Sequence, residues 1–132
     1  MGLDTTHDCW HGAYSAFMRW RIELAKAAGL PPLRMMEGFV DPADTAAIES
    51  GLPIKWECLK PDAIHELLYH SDCEGKIPWK SCAGIADSLE RLIPKLPKGD
   101  AGGHIGDWAE KTQAFVDGLR TAVRKKENVI FH

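Results

Sequence analysis

The sequence lacks the features that mark several large classes of protein. No stretch approaches the roughly 20 apolar residues that span a bilayer, and the four cysteines include no C-x-x-C pair. Sixteen Lys and Arg are outnumbered by nineteen Asp and Glu, so no basic excess attracts duplex DNA or an anionic membrane. We therefore expect neither a membrane nor duplex nucleic acid among the partners, and the cysteine usage favours a cytoplasmic location.

What is present is the composition of an ordinary globular domain. The 132 residues are 45% apolar and 27% charged, close to the roughly 45–50% and 25% that are typical of such domains. A chain of this length buries somewhat under about 70% of its unfolded surface, which is enough to fold without a metal or disulfides. We expect one globular domain over residues 1–132.

Three long amphipathic helices are predicted from apolar positions that recur every three or four residues. The first runs from Tyr14 to Ala28, the second from Pro78 to Ile93, and the third follows an N-cap at Asp107. A shorter helix is predicted after Asp41-Pro42, with Asp41 as the cap. After Pro61-Asp62 the pattern fits either another short helical turn or a strand entered at Leu67-Leu68-Tyr69.

Three strands are predicted, at the beginning, in the middle and at the end of the sequence. They are residues 1–4, the alternating segment 54–58, and the β-branched and aromatic segment 129–131. A lone strand cannot satisfy its backbone, so we expect these strands to share one small sheet. The predicted fold class is α+β, with the three main helices packed on that sheet.

Imidazoles, hydroxyls and indoles gather in the predicted loops, where ligands usually contact a rigid scaffold. Five of the six histidines lie in or beside loops, outside the apolar helix stripes. Helix caps and turns account for part of this polar content. The candidate ligand-binding residues are Thr5, Thr6, His7, Trp10, His11, His70, Ser71, Asp72, Trp79 and His104.

Other chemistry is possible for the same loops. His7, His11, His70 and Asp72 are acceptable zinc ligand types, although the sequence has no familiar zinc signature. Cys73 and Cys9 each have a histidine and an aspartate nearby, as a cysteine nucleophile requires. The glycine-rich segment 99–106 precedes a helix, where backbone amides can hold a phosphate, but it also fits a flexible linker. We predict no metal, no cofactor and no catalytic residue.

Two segments carry a resemblance to a family of small phage and bacterial proteins. They read GLDTTHDCWHG over residues 2–12 and HSDCEG over residues 70–75, and the ending NVIFH is similar too. The resemblance transfers no catalytic residue. A phage origin implies a protein that acts in the cytoplasm of a bacterial host, and such proteins include sponges that sequester nucleotide signals of antiviral immunity.

The sequence thus predicts a binding protein for a small, anionic, nucleotide-like ligand, assembled as a homo-oligomer. In this hypothesis the ligand lies between the loops at residues 5–11, 70–72 and 102–104, and Trp10 or Trp79 stacks on its base. Two alternatives remain: a metal-dependent or cysteine hydrolase acting on a nucleotide-like substrate, and a module that buries its tryptophans in a host protein.

Overall fold

A computed structural model describes residues 2–98 and 107–132. Within these residues the chain forms four short strands and five α-helices. The strands are β1 Gly2–Asp4, β2 His11–Ala13, β3 Lys76–Ile77 and β4 Val129–Ile130. The helices are α1 Tyr14–Ala27, α2 Thr45–Glu49, α3 Ile64–Leu68, α4 Trp79–Leu92 and α5 Trp108–Lys125. The α+β class predicted from the sequence is confirmed.

The three long helices lie where the apolar periodicity predicts them. α1 ends in a Schellman arrangement, in which Gly29 has a φ of 74° and Leu30 N–H donates to the Ala25 carbonyl. The α5 N-cap is Asp107, whose side chain accepts from Ala109 N–H. Helices α4 and α5 make the most extensive helix contact in the fold, so their apolar faces form much of the core.

An aromatic cluster fills the space between α1, α5 and the β1–β2 connection. The Trp10 ring stacks on Trp20 with centroids 5.1 Å apart, and Trp20 also contacts Phe115 at 4.9 Å. The indole Nε1 of Trp20 donates to Thr112 Oγ1 at 2.8 Å, deep in the core. Aromatic pairs contribute roughly 0.5–1.5 kcal/mol beyond their burial, so this cluster fixes the first twenty residues against α5.

The strands form two antiparallel pairs, β1 with β2 and β3 with β4. An antiparallel bridge between Thr5 and Phe131 joins the pairs, and Asp4 and His132 exchange two backbone hydrogen bonds of 3.0 and 2.9 Å. The spatial order is therefore β2-β1-β4-β3. This arrangement places the N-terminal and C-terminal strands side by side and a middle strand at the edge.

The middle strand is not the one predicted. Residues 56–58 form a 3-10 turn, and only Ile54 makes a β-bridge, with Met36. The indole of Trp56 donates to the Glu37 carbonyl at 3.0 Å, so tertiary contacts override the alternating pattern. The pairing strand is Lys76–Ile77 instead.

Two smaller predictions have mixed outcomes. The helix after Pro61-Asp62 exists, and Asp62 Oδ1 accepts from Ile64 N–H at 3.0 Å. Asp44, not Asp41, caps α2, because its carboxylate accepts from Ala47 N–H. Asp41 instead accepts from Ala43 N–H in the preceding turn.

None of the helices in the described part of the chain has the length and apolar character needed to cross a membrane.

Candidate functional site

Three segments that are distant in sequence meet at one place, which we call the three-segment surface: residues 2–13, 70–77 and 128–132. Phe131 N–H donates to the Gly75 carbonyl at 2.9 Å, and Ile130 N–H donates to Thr6 Oγ1 at 2.9 Å. The His70 ring packs on Phe131 with centroids 4.1 Å apart. The C-terminal strand therefore brings two of the three predicted ligand-binding loops together.

The histidine rings of this surface are occupied by partners within the protein. His7 Nε2 lies 3.0 Å from Glu127 Oε1, and its Nδ1 lies 2.9 Å from Thr6 Oγ1. Both nitrogens of His70 face backbone carbonyl oxygens, Ser71 O at 2.8 Å and Lys76 O at 3.0 Å. The rings thus hold the loops in place before any ligand is considered.

His11 is more exposed, but it is also paired. Its Nδ1 lies 2.7 Å from Asp4 Oδ1 and its Nε2 lies 3.1 Å from Asp8 Oδ1, and the side chain is 56% exposed. The hydrogen bonds that His11 donates to Asp4 and then to Asp8 raise the pKa of His11 above its ordinary value of 6.5. When the ring is protonated, its positive charge faces two carboxylates.

The threonines and Trp10 are structural residues. Thr5 is buried, and its hydroxyl accepts from Trp10 N–H at 2.9 Å. Trp10 is 2% exposed, with Trp20 stacked against it and Lys111 Nζ 5.0 Å from its ring centroid. The predicted stacking of Trp10 on a ligand base does not fit this geometry, because the ring belongs to the core.

The remaining predicted residues are dispersed. The hydroxyl of Ser71 accepts from Cys73 N–H at 3.3 Å and so closes a turn. Asp72 is partly buried and interacts with the buried Arg21. Trp79 is half-buried at the start of α4, where its backbone N–H donates to Asn128 Oδ1. His104 and the glycine-rich segment 99–106 lie outside the described residues.

Of the three described histidines of the three-segment surface, His7 lines a cavity that His11 and His70 do not share. His7 lines a cavity of about 330 Å³ together with Asp8, Asp117, Gly118 and Thr121, and His70 is not part of that lining. The nearby carboxylates of Asp4, Asp8 and Glu127 already pair with the imidazoles. This electrostatic setting does not favour an anionic ligand at the three-segment surface.

The two alternative chemistries, a cysteine nucleophile and a bound metal ion, find little support in these loops. Burial raises the pKa of the Cys9 thiol to about 12, which is the reverse of the lowering that activates a nucleophile. Cys73 is exposed, with its sulfur 3.5 Å from Ser71 Oγ, while the nitrogens of its neighbour His70 face carbonyls. Among residues 2–98 and 107–132, no three His, Cys, Asp or Glu side chains are placed to hold a metal ion.

A different site lies between α3 and α4, and we call it the α3–α4 groove. It consists of two adjoining depressions of about 390 and 530 Å³. Both fall in the range of roughly 300–1,000 Å³ that is usual for small-molecule sites. The groove is lined by Lys60, Pro61, Asp62, Ala63, His65, Glu66, Tyr69, Lys80, Ser81, Gly84, Asp87, Ser88 and Arg91.

One half of the groove combines aromatic and polar groups. Tyr69 is 53% exposed, and its ring meets Trp56 edge-on with centroids 5.7 Å apart. Trp56 also contacts the His65 ring at 5.1 Å, and His65 Nε2 is buried with no hydrogen-bond partner among the described residues. Buried polar atoms nearly always have a partner. Three in the described residues do not, Trp10 Nε1, Arg21 Nε and His65 Nε2, and of these His65 is the one that lines the groove.

The other half is a hydrogen-bonded network of charged groups. Asp62 Oδ1 accepts from Ser88 Oγ at 2.7 Å, and Arg91 donates to Ser88 Oγ at 3.1 Å. Partial burial pushes the pKa of Asp62 upward, but the hydrogen bonds from Ile64 N–H and Ser88 outweigh it, and the net pKa is lowered. Asp62 Oδ1 therefore already accepts two hydrogen bonds within the protein.

The groove lining carries equal numbers of cationic and acidic side chains, but not all of them are paired with one another. Three cations line it, Lys60, Lys80 and Arg91, opposite three carboxylates. One of those carboxylates, Asp87, is paired with Arg120 of α5 at 2.9 Å. Lys80 Nζ has no carboxylate partner among the described residues, and it lies 5.9 Å from the Trp79 ring centroid.

Sequence reasoning did not find this groove because its residues come from two helices and from the turns before them. Tyr69 and His65 were visible as polar and aromatic residues at a short helix, but nothing in their spacing pairs them with Lys80. The one available signal is Gly84, whose missing side chain allows close contact: a Cβ there would lie 3.1 Å from the Ala63 Cβ.

Comparison with known proteins adds no relative. No protein-family model matches the chain, and no curated protein or solved structure matches it.

Proposed function

We propose that the protein binds a small nucleotide-like ligand, one with a flat ring and an anionic group, in the α3–α4 groove. The observation that carries the proposal is the combination in this groove of an exposed aromatic ring, an ammonium group without a carboxylate partner and an imidazole nitrogen without a hydrogen-bond partner. This ligand class is the one that the sequence predicts, at a different site.

Each part of such a ligand has a counterpart in the groove. The Tyr69 ring offers a face or edge to a base, and stacking on an aromatic side chain contributes roughly 1–3 kcal/mol per base. The Lys80 ammonium attracts a phosphate or carboxylate, and the Ser81 hydroxyl donates or accepts. Tyr69, Lys80 and Ser81 line the same depression of about 390 Å³.

His65 adds a possible source of specificity. Its Nε2 is buried and its ring lies beside that of Trp56, so a ligand reaches the nitrogen only after a neighbouring side chain moves. A hydrogen bond made to that nitrogen would supply the partner that the protein itself does not provide. Ligands that lack a matching donor or acceptor would then bind less tightly.

The wider role that we propose rests on the resemblance of residues 2–12 and 70–75 to small phage and bacterial proteins. In this role the protein sequesters a nucleotide-derived signal of host immunity, such as a cyclic dinucleotide or an ADP-ribose derivative, without converting it. Assembly as a homo-oligomer and a site in the host cytoplasm remain part of the proposal.

Isothermal titration with a panel of cyclic dinucleotides, ADP-ribose and AMP tests the binding. We expect at least one member to bind, and Tyr69→Ala and Lys80→Gln each to weaken it about tenfold or more. Lys55→Gln, an exposed lysine outside the groove lining, serves as the matched control for Lys80→Gln. Chromatography of the released ligand should return it intact.

Two results would contradict the proposal. One is the absence of heat for every member of the panel at millimolar concentration. The other is binding that survives both groove variants but is lost in His11→Gln, which would move the site to the three-segment surface.

A further inference from the structure

Another cavity lies at the C-terminal end of α1, away from the α3–α4 groove, and we call it the α1 pocket. It has a volume of about 340 Å³ and is lined by Ile22, Ala25, Lys26, Leu30, Pro32, Leu33 and Arg34. Its volume is at the lower end of the roughly 300–1,000 Å³ of small-molecule sites. The pocket therefore suits a small ligand rather than a peptide.

The walls of the α1 pocket are apolar and well supported. Ala25 and Leu33 are each 1% exposed and belong to the main core, while Ile22 and Leu30 are half-buried and pack against it. The Schellman turn that ends α1 shapes one side, because Gly29 takes a φ of 74° and redirects the chain toward Pro32. Such a rigid apolar wall accepts an aliphatic chain without large rearrangement.

The rim of the pocket is cationic. Lys26 and Arg34 are both exposed and both line the cavity. Lys26 Nζ lies 3.6 Å from Glu23 Oε1, whereas Arg34 has no carboxylate partner within the described residues. A guanidinium presents a planar fork of donors that matches a carboxylate in two hydrogen bonds.

The end of α1 does not cancel this positive charge. A helix C-terminus normally presents carbonyl oxygens that repel an anion. Here the Lys26 carbonyl accepts from Gly29 N–H at 3.0 Å and the Ala25 carbonyl accepts from Leu30 N–H at 3.0 Å. These oxygens are already hydrogen-bonded, and the charged residues in the lining are Lys26 and Arg34.

We infer that the α1 pocket is a binding site for a medium-chain aliphatic carboxylate. The hydrocarbon chain lies between Ile22, Leu30 and Leu33, and the carboxylate meets the guanidinium of Arg34, with Lys26 beside it. Nothing in the proposed nucleotide site is needed for this binding, so either proposal stands if the other fails.

A homologous series of ligands tests the apolar part of the site. We expect sodium hexanoate, octanoate and decanoate to bind with dissociation constants that fall roughly fourfold for each added methylene, until the pocket is full. Amide chemical shifts in a ¹⁵N-labelled sample should move for residues 22–34. Absence of any shift at millimolar decanoate, or shifts confined to other residues, would overturn the proposal.

The charge preference is tested with ligands that share one tail. We expect octanoate to bind at least fivefold more tightly than 1-octanol and octylammonium, and Arg34→Gln to remove most of that preference. Lys125→Gln is the matched control, as an exposed cation at the end of α5 and outside the lining. Equal binding of octanol and octanoate to the unmodified protein would exclude a carboxylate site.

A variant that fills the pocket provides an independent check. Ile22 is half-buried on the wall, so Ile22→Trp places an indole in the cavity. Circular dichroism establishes whether the variant folds, and a folded variant should lose octanoate binding. If Ile22→Trp does not fold, Leu30→Trp replaces it, and unchanged octanoate affinity in either folded variant would overturn the proposal.

Discussion

Gly118 of α5 lies directly against the loop that carries Cys9. A side chain at Gly118 would contact the Cys9 sulfur, and its Cβ would lie 2.7 Å from the His7 carbonyl oxygen. The loop itself is unusual, since His7 and Asp8 both have positive φ, at 63° and 56°. Such conformations cost roughly 1–3 kcal/mol each and persist only where the surroundings hold them. α5 is one of those surroundings.

Gly118→Ala is therefore expected to destabilise the protein even though alanine favours helices. The helical gain is about 1 kcal/mol, while forcing an atom into a filled contact typically costs about 1–3 kcal/mol. Urea denaturation should show a net loss. Gly84→Ala on α4 is the comparison, because its Cβ would meet only the Ala63 Cβ, at 3.1 Å. If Gly118→Ala is as stable as Gly84→Ala, the close approach is not real.

The buried pair of Trp20 and Thr112 leads to a second prediction. Thr112 Oγ1 donates to the Trp108 carbonyl and accepts from the Trp20 indole. Thr112→Val leaves that indole N–H without its acceptor, which costs about 1–3 kcal/mol. Thermal unfolding measures the loss.

A threonine on the same helix provides the control for this experiment. Thr121 makes the same hydrogen bond to the carbonyl four residues earlier, that of Asp117, but it lies near the surface. Thr121→Val should cost about 0.5 kcal/mol or less, as most surface substitutions do. Similar losses in the two valine variants would show that the indole contact contributes nothing.

The pKa of His11 predicts a pH-dependent contribution to stability. Because the folded pKa is raised by Asp4 and Asp8, the contribution is fully present below pH 6.5 and is lost as the pH rises through the folded pKa. His11→Gln should therefore lower the free energy of unfolding at pH 5.5 and leave it nearly unchanged at pH 9. The effect is small and weakened by salt, since the pair is exposed.

NMR titration of the His11 ring gives a direct measurement of the same property. Its pKa should lie above 6.5 in the native protein and fall toward 6.5 in Asp4→Asn. A His11 pKa at or below 6.5 in the native protein would refute the ion pairing.

The cysteines should divide into two pairs by reactivity. Cys58 and Cys73 are exposed, whereas Cys9 and Cys82 are buried. Burial raises the pKa of Cys9 to about 12 and that of Cys82 to about 11, so both thiols are protonated and shielded. A maleimide reagent at pH 7 should modify two thiols in the native protein and four in denaturant, and mass spectrometry locates them. Rapid native modification of Cys9 would contradict this burial.

The long helices could be predicted because each one carries its own evidence. The stripe from Cys82 to Leu92 and the Asp107 cap are local features, and they predict α4 and α5 closely. The alternating pattern at residues 54–58 predicted a strand, and this prediction was wrong. The Trp56 indole donates to the Glu37 carbonyl, and residues 56–58 form a 3-10 turn. A short apolar pattern does not decide between strand and turn when a distant contact competes.

The candidate site was harder to predict than the fold. The histidine-rich loops predicted a ligand site, yet their imidazole nitrogens pair within the protein. His7 pairs with Glu127, His11 with Asp4 and Asp8, and His70 with two backbone carbonyls. Which acceptor an imidazole finds depends on neighbours that are up to 120 residues away along the chain. No spacing rule within the loop contains that information.

The amino-acid sequence by itself determined the α+β class, the three amphipathic helices and the balance of charge, because periodicity, caps and composition are local properties. Only the tertiary structure decided that Thr5 pairs with Phe131, that Trp10 is a core residue, and that Tyr69 and Lys80 line one groove. The physical reason is that a site is a set of distances between atoms on different elements, and packing sets those distances after the elements themselves have formed.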